Sequence, residues 1–489
     1  MMMRRKTKRA VFPSLLAGAA AVLLLLIAGL PLRAADDAEP QKQKKEGGKK
    51  AGGSKKKKKD KDASAAKSTT GEEKDVENAK KSKRGFRFVM KDNPSFRFGK
   101  VARVDFHLKS QVDFRDYDPY VLTKEGDFDV HRFRPGIEGN VFKHFEFEIE
   151  REVRDVFRNL YTDVEEEGLT TKNPWRDVFV NFRYFKDAQI KIGKFKMPFG
   201  MEELTPTFKL DFVYRSRISD TLASARDKGI TVHGRLFERG LNYEFGYFRE
   251  DGENARTFDN QGTGRRAFAG RVTGRPFRLL PVPEVFKNAE FGTNFVHSEL
   301  PEGLYGLRGR SISKATIFNY YFVNGRRLRL GADLSWQPGP FSLKGEFISL
   351  SDERKGQGRF GEDVPDLLGR GWYASAGWVV TGERTAGGIQ PRKEFLRGWG
   401  FGAVEIATRY EQLRFGSAEH PGRPSRSVRA ANVFANSDRL WTFGVNWYVN
   451  RWVKIQGNFI RERFEDDFRS PIPGQSLFWS RIVRLQFVM

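Results

Sequence analysis

The chain has 489 residues, no cysteine, 44 phenylalanines and a formal net charge of +25 from 87 Lys+Arg against 62 Asp+Glu. Lack of cysteine excludes disulfide scaffolds, thiol catalysis and Cys-ligated zinc. With 39% hydrophobic, 30% charged and 13% aromatic residues it is not a polytopic helical membrane protein, a collagen or a wholly disordered chain.

The charge is uneven along the chain. Residues 1–84 carry 23 Lys+Arg and 10 Asp+Glu, so half of the excess lies in about a sixth of the length. This describes a basic tail on a moderately basic body, and no nucleic-acid partner is expected. Arg4, Arg5, Lys6, Lys8 and Arg9 open the chain, Leu15 to Leu30 is uncharged and apolar, and Leu32-Arg33-Ala34-Ala35 follows. That order is a secretory signal peptide over 1–35; an uncleaved anchor is the competing reading, and both export the rest. Residues 36–94 are predicted to be a Lys-rich, low-complexity, disordered segment, with the run Lys55–Lys59 among Gly, Ser and Ala. Its basic part, 41–84, is either a solvated spacer or a contact for envelope polyanions.

From about 95 onward the pattern has period two. Ala102, Val104, Phe106 and Leu108 interleave with Arg103, Asp105, His107 and Lys109. The alternation returns at Val178–Tyr184, Leu328–Trp336, Trp441–Val449 and Val483–Phe487. Such segments are strands with one apolar and one charged face. Short polar turns near 142–144, 186–187, 238–240, 337–340 and 450–451 alternate with long polar stretches near 115–127, 158–174, 198–226, 251–264, 300–325, 353–369, 415–437 and 465–476. Connections near 276–288 and 382–396 fall in the short class by order. The count predicts an all-β transmembrane antiparallel β-barrel of about 16 strands over 95–489, in the outer membrane of a Gram-negative-type cell. A soluble sandwich would use shorter strands. Tyr184, Trp336, Trp378, Trp447, Tyr448, Trp452 and Trp479 lie near strand ends, where aromatic girdles meet the lipid interface.

Several stretches resemble the phosphate-selective porin (porin O and P) family. They are Phe133-Arg134-Pro135-Gly136-Ile137-Glu138-Gly139 with Val141 to Phe147, then Gly193-Lys194-Phe195-Lys196-Met197-Pro198-Phe199-Gly200-Met201-Glu202-Glu203-Leu204-Thr205. Phe212 to Ser216, Gly229 to Arg235 and Gly444 to Asn450 continue the likeness in order. The resemblance implies a sixteen-stranded, commonly trimeric barrel that passes small anions, phosphate and polyphosphate above all. It also implies that the loop after the fifth strand, 198–226 with Lys209, Arg215, Arg217 and Arg226, folds inward.

Strand phase turns Arg103, Lys109, Lys191, Arg235, Arg271, Arg329, Lys344, Arg409, Lys454 and Arg484 inward, beside Asp105, Asp333, Glu346, Glu405 and Glu411. The candidate anion-binding and lumen residues are therefore Arg103, Lys109, Lys191, Arg215, Arg226, Arg235, Arg271, Arg329, Lys344 and Arg409. A wall of both signs gives several weak sites that release an ion; pairing between the charges is the competing structural explanation for each residue. No catalytic, cofactor or metal site is expected. Gly356-x-Gly358-x-x-Gly361 has no following helix pattern, the six histidines are dispersed, and no Gly-x-Ser-x-Gly elbow occurs. The expected function is passive passage of small anions; the alternative is a structural or adhesive outer-membrane barrel.

Overall fold

The computed structural model describes residues 85–90, 93–118, 128–155, 173–237, 240–253, 263–395, 399–417 and 427–489. The signal peptide and the basic part of the low-complexity segment lie outside these residues. The strands are β1 (Phe86–Met90), β2 (Pro94–Phe98), β3 (Ala102–Tyr117), β4 (Phe128–Val141), β5 (Phe145–Arg151), β6 (Trp175–Phe182), β7 (Gln189–Lys196), β8 (Arg226–Leu236), β9 (Leu241–Phe248) and β10 (Ala267–Gly274). They continue as β11 (Glu290–Gly303), β12 (Gly309–Arg310), β13 (Thr316–Phe318), β14 (Val323–Trp336), β15 (Phe341–Arg354), β16 (Val364–Val379), β17 (Ala403–Ser417), β18 (Asn436–Tyr448), β19 (Val453–Phe464) and β20 (Leu477–Val488). Two short helices, α1 (Met201–Leu204) and α2 (Arg217–Leu222), lie between β7 and β8.

Sixteen of these strands form one closed antiparallel wall: β3 to β11 and β14 to β20. β20 pairs with β3 from Ser480↔Tyr117 to Val488↔Lys109. Leu108 and Met489 then exchange two backbone hydrogen bonds of 3.0 and 2.9 Å. Closure is needed because a free edge in hydrocarbon would leave backbone groups without partners. The outward positions are apolar and exposed, for example Phe106, Ile192, Ile230, Val232, Leu330, Ile406, Val445, Val483 and Leu485. The alternating partners Asp105, Thr231, Arg329, Asn446 and Arg484 are buried. In these strands the phase is the one read from the sequence.

Three boundaries differ from the sequence-based expectation. Strand structure is already present before 95, where Phe86 and Phe88 on β1 pack on Phe96 and Phe98 of β2. β2 in turn pairs with the start of β3, Ser95↔Asp105 to Phe98↔Ala102, on the edge that β20 leaves free. β5 ends at Arg151 rather than near 158. Contact with β4 persists beyond it, as Val153 N donates to Phe133 O (2.9 Å) and Glu152 accepts from Phe133 N (2.9 Å). The expected loop 300–325 contains the small hairpin β12–β13.

The lumen also departs from a uniformly polar interior. Inward positions toward the long-loop ends of β11 and β14–β17 include Val296, Leu300, Ile348, Leu350, Leu413 and Phe415, all buried. They form one apolar cluster with Ile218, Leu222, Leu307, Ile317 and Phe318 from the segments after β7 and β11. Glycines on β16 make room: a Cβ on Gly371 would lie 2.5 Å from Ile218 Cγ2, and one on Gly369 2.9 Å from Leu222 Cδ2.

Gly193 tests the wall itself. Its φ is +138°, and an added Cβ would lie 2.2 Å from Val178 O. Gly193→Val combines backbone strain of roughly 1–3 kcal/mol with that clash. The fraction of refolded chain running as the compact, heat-modifiable barrel on electrophoresis falls for Gly193→Val and stays unchanged for the lipid-facing substitution Ile192→Val.

Candidate solute pathway through the barrel

The segment 197–225 between β7 and β8 folds into the barrel and is fastened to the wall formed by β14–β20 and β3. Glu346 accepts from Met201 N (2.7 Å) and Glu202 N (3.3 Å). Leu210 O accepts from Lys454 (2.9 Å) and Gln456 (3.2 Å), Val213 O from Arg484 (2.6 Å), Tyr214 O from Arg409 (3.2 Å) and Leu222 O from Arg329 (2.8 Å). Asn458 accepts from Val213 N (2.7 Å). The segment between β11 and β14 lies beside it: Ile312 N donates to Glu462 (3.0 Å), and Ile317 O accepts from Asn436 (2.9 Å). The irregular backbone of both segments thus finds its partners on inward side chains of the wall, as buried peptide groups require.

The other side of the lumen stays open. A cavity of about 700 Å³ lies between the 197–225 segment and the wall of β3–β9. Its basic lining includes Lys109, Arg132, Arg134, Arg154, Arg176, Lys191, Lys196, Arg215 and Arg226. Its acidic lining includes Glu138, Glu148, Glu150, Asp177, Glu203, Glu244 and Glu253, with His107 and His131 also facing it. The charges are mostly paired: Lys191 with Glu244 (3.0 Å), Arg226 with Asp177 (3.1 Å), Arg176 with Glu253 (3.3 Å), Lys194 with Glu253 (2.7 Å) and Arg134 with Glu152 (2.6 Å). Lys191 also lies over the Phe195 ring, 4.7 Å from its centroid. Arg132 differs from its neighbours. Its partner is an amide, Gln111 Oε1 at 2.9 Å, and no carboxylate lies within ion-pair distance of it among the described residues.

Of the ten residues singled out from the sequence, Lys109, Lys191, Arg215 and Arg226 border this one cavity. Four lie on the far wall. Arg271 makes a double contact with Asp333, with Nη2 at 2.8 Å from Oδ1; Arg329 holds Asp251 (2.6 Å), Lys344 holds Asp211 (2.6 Å), and Arg409 holds Glu202 and Glu411 (3.0 Å each). Arg103 pairs with Asp105 near the short-turn end, and Arg235 is exposed at the end of β8. Glu202 and Glu203 are both engaged, Glu202 by Arg409 and Glu203 by Arg215 (3.1 Å) and Lys196 (3.3 Å). Sequence reasoning missed Arg132, Arg134, Arg154, Arg176 and Lys196. Arg132 and Arg134 alternate with Phe133 and Pro135, a signal present in the sequence; Arg154 lies beyond its strand end, where phase carries no information.

Arg409→Ala leaves Glu202 and the fully buried Glu411 without their cation, an arrangement that costs about 3–5 kcal/mol when one partner of a buried pair is removed. The 201–222 segment becomes sensitive to added protease while the barrel band persists. The same seat responds to pH through Glu203. Burial alone would raise its pKa, but Arg215 and Lys196 outweigh burial and hold the carboxyl below its ordinary value. A depressed carboxylate contributes stability above its unfolded pKa, about 4.3, and loses it as pH falls through the lowered value. Intrinsic-rate-corrected amide exchange in 201–222 is therefore expected to rise as the pH falls below about 4.3.

The family model described as "Phosphate-selective porin O and P" matches residues 104–471. Porin O of Pseudomonas aeruginosa is 20% identical over 393 residues, covering 72% of this chain and 81% of the relative. Among solved structures, OmpT of Vibrio cholerae aligns with a TM-score of 0.48 at 7% identity, over 79% of this chain and 98% of its own. The outer membrane channel DcaP of Acinetobacter baumannii aligns with a TM-score of 0.48 at 8% identity, over 80% and 98%. The barrel is an outer-membrane one. Since the family model spans well over half of its residues, the chain belongs to the phosphate-selective porin O and P family.

Proposed function

We propose that the chain is a passive porin that prefers small anions, phosphate among them, and that solutes pass through the cavity between the 197–225 segment and β3–β9. The observation that carries this reading is Arg132: a guanidinium on the cavity wall with an amide oxygen, but no carboxylate, as partner. A planar fork with unused donors suits phosphate oxygens and lowers the cost of an anion leaving water. Arg154 and Arg176 add their positive charge to the same cavity wall. Lys109, Lys191, Arg215 and Arg226 supply further positive charge, each tied to a carboxylate that limits how tightly an anion is held. Arg329, Lys344 and Arg409 act as anchors of the inward segments and Arg271 ties β10 to Asp333 on β14, none of them in contact with the passing solute. Export by a 1–35 signal peptide and assembly as a homotrimer accompany this reading. It assigns no catalytic step.

Planar-bilayer recording of the refolded barrel tests the reading. In a KCl gradient the reversal potential takes the sign of anion preference, and added phosphate lowers the chloride current. Arg132→Ala weakens the phosphate effect several-fold while the barrel stays folded. Cation preference would overturn the reading. A folded barrel with no conductance would favour the structural or adhesive alternative.

A further inference from the structure

We propose that His107, Glu148 and Glu150 form a binding site for a borderline divalent transition-metal ion, of which Zn²⁺ is the type, on the wall of the solute pathway. The cluster follows from the strand register. His107 on β3 lies opposite Gly136 on β4, and Gly136 lies opposite Glu150 on β5. The middle residue of this row has no side chain. A Cβ on Gly136 would lie 2.2 Å from His107 Nε2, so the glycine is what lets the imidazole reach over β4 to Glu150. Glu148, two residues before Glu150 on β5, points to the same face.

The distances suit a metal. His107 Nε2 stands 3.5 Å from Glu150 Oε2, and one ligand atom from each of the three residues lies within 4.8 Å of the others. At metal–ligand bonds of about 2.0–2.2 Å, tetrahedral ligand atoms stand roughly 3.4 Å apart. The histidine–glutamate pair already has that spacing, and a Glu148 oxygen lies within 4.8 Å of both. One imidazole and two carboxylates form a donor set suited to such ions, with the fourth position open to the cavity.

A second observation points to a ligand independently of the acidic pair. His107 is 7% exposed, and neither ring nitrogen has a hydrogen-bond partner. Buried imidazoles are ordinarily partnered, and this one, with Nε2 3.5 Å from Glu150 but making no hydrogen bond, has its ring nitrogens available to a metal ion. The Lys109 ammonium now contacts Glu150 and lies 3.8 Å from Glu148. It stands in for the cation on the carboxylates but leaves the imidazole unused. A divalent ion would displace it, with Arg134 Nη1 remaining 3.6 Å from the other oxygen of Glu150.

Isothermal titration of the refolded full chain with ZnCl₂ tests this, with X-ray absorption reading the ligands; neither readout depends on conductance, so the porin reading stands or falls separately. The expected result is one Zn²⁺ per chain with an imidazole in its shell. His107→Ala and Glu150→Gln each weaken binding by about tenfold or more, since outer-shell partners alone are worth roughly 10–100-fold. Lys109→Met strengthens binding, because it removes the competing ammonium, and this opposite sign cannot arise from misfolding. The heat-modifiable band reports that each variant is folded. No zinc bound, or zinc bound equally well by folded His107→Ala, overturns the proposal.

Discussion

The pairing of β20 with β3 is the contact on which the rest depends. A sheet in hydrocarbon can have no open edge, because each unpaired peptide group there would cost several kcal/mol. Once the wall closes, every strand has one face toward lipid and one toward the lumen, and alternation becomes obligatory. Val483, Leu485 and Phe487 then face lipid, while Arg484 and Gln486 face inward, where each needs a polar partner. Arg484 finds Asp113 and Val213 O; Gln486 finds Gln111 and Phe208 O.

This need for partners explains how the lumen is divided. The 197–225 segment has little regular structure, so its carbonyls have few donors of their own. Lys454, Arg484, Arg409 and Arg329 provide them from the wall, and the segment's apolar residues cover Ile348, Leu350 and Leu413. Charged wall and irregular segment satisfy each other, and half of the barrel is filled as a consequence. Arg327 shows the same logic further out, joining Asp352 (2.7 Å), Asp251 (3.0 Å) and Tyr305 O (2.8 Å) with almost no exposed surface.

The fold was legible in the sequence because lipid and lumen impose a period of two, and because short and long connections alternate. The inward phase of Lys109, Arg329 and Arg409 was legible for the same reason. What each inward residue meets was not, since the partner sits on a segment far away in the chain: Arg329 on Asp251 and Leu222, Lys344 on Asp211. The signal at Arg132 is legible only when phase is counted from the short-turn end of β4. The register of β3 against β4 slips between Gln111↔Arg132 and Val112↔Val130, so phases counted from either end of β4 disagree across His131. The histidine–glutamate cluster was hidden in another way. Linear spacing cannot show ligands contributed by β3 and β5 across a glycine on β4.

A wall whose charges are mostly paired need not be electrically silent, because the two signs are paired differently. A carboxylate offers about four lone-pair positions, and on the open side several serve two cations each: Glu253 takes Arg176 and Lys194, Glu203 takes Arg215 and Lys196, Glu150 takes Lys109 and Arg134. A guanidinium has five N–H donors and commits two to a fork-shaped pair. Pairing therefore consumes the acceptors faster than the donors. On the anion-preferring reading proposed above, an anion entering the cavity would meet N–H groups still able to bind it, and a cation would meet carboxylates already shared. Glu148 departs from this rule, with Lys109 at 3.8 Å as its cation within ion-pair reach among the described residues. This partly paired carboxylate lies beside an imidazole whose ring nitrogens make no hydrogen bond, and the register of β3, β4 and β5 brings the three donors to one face of the cavity.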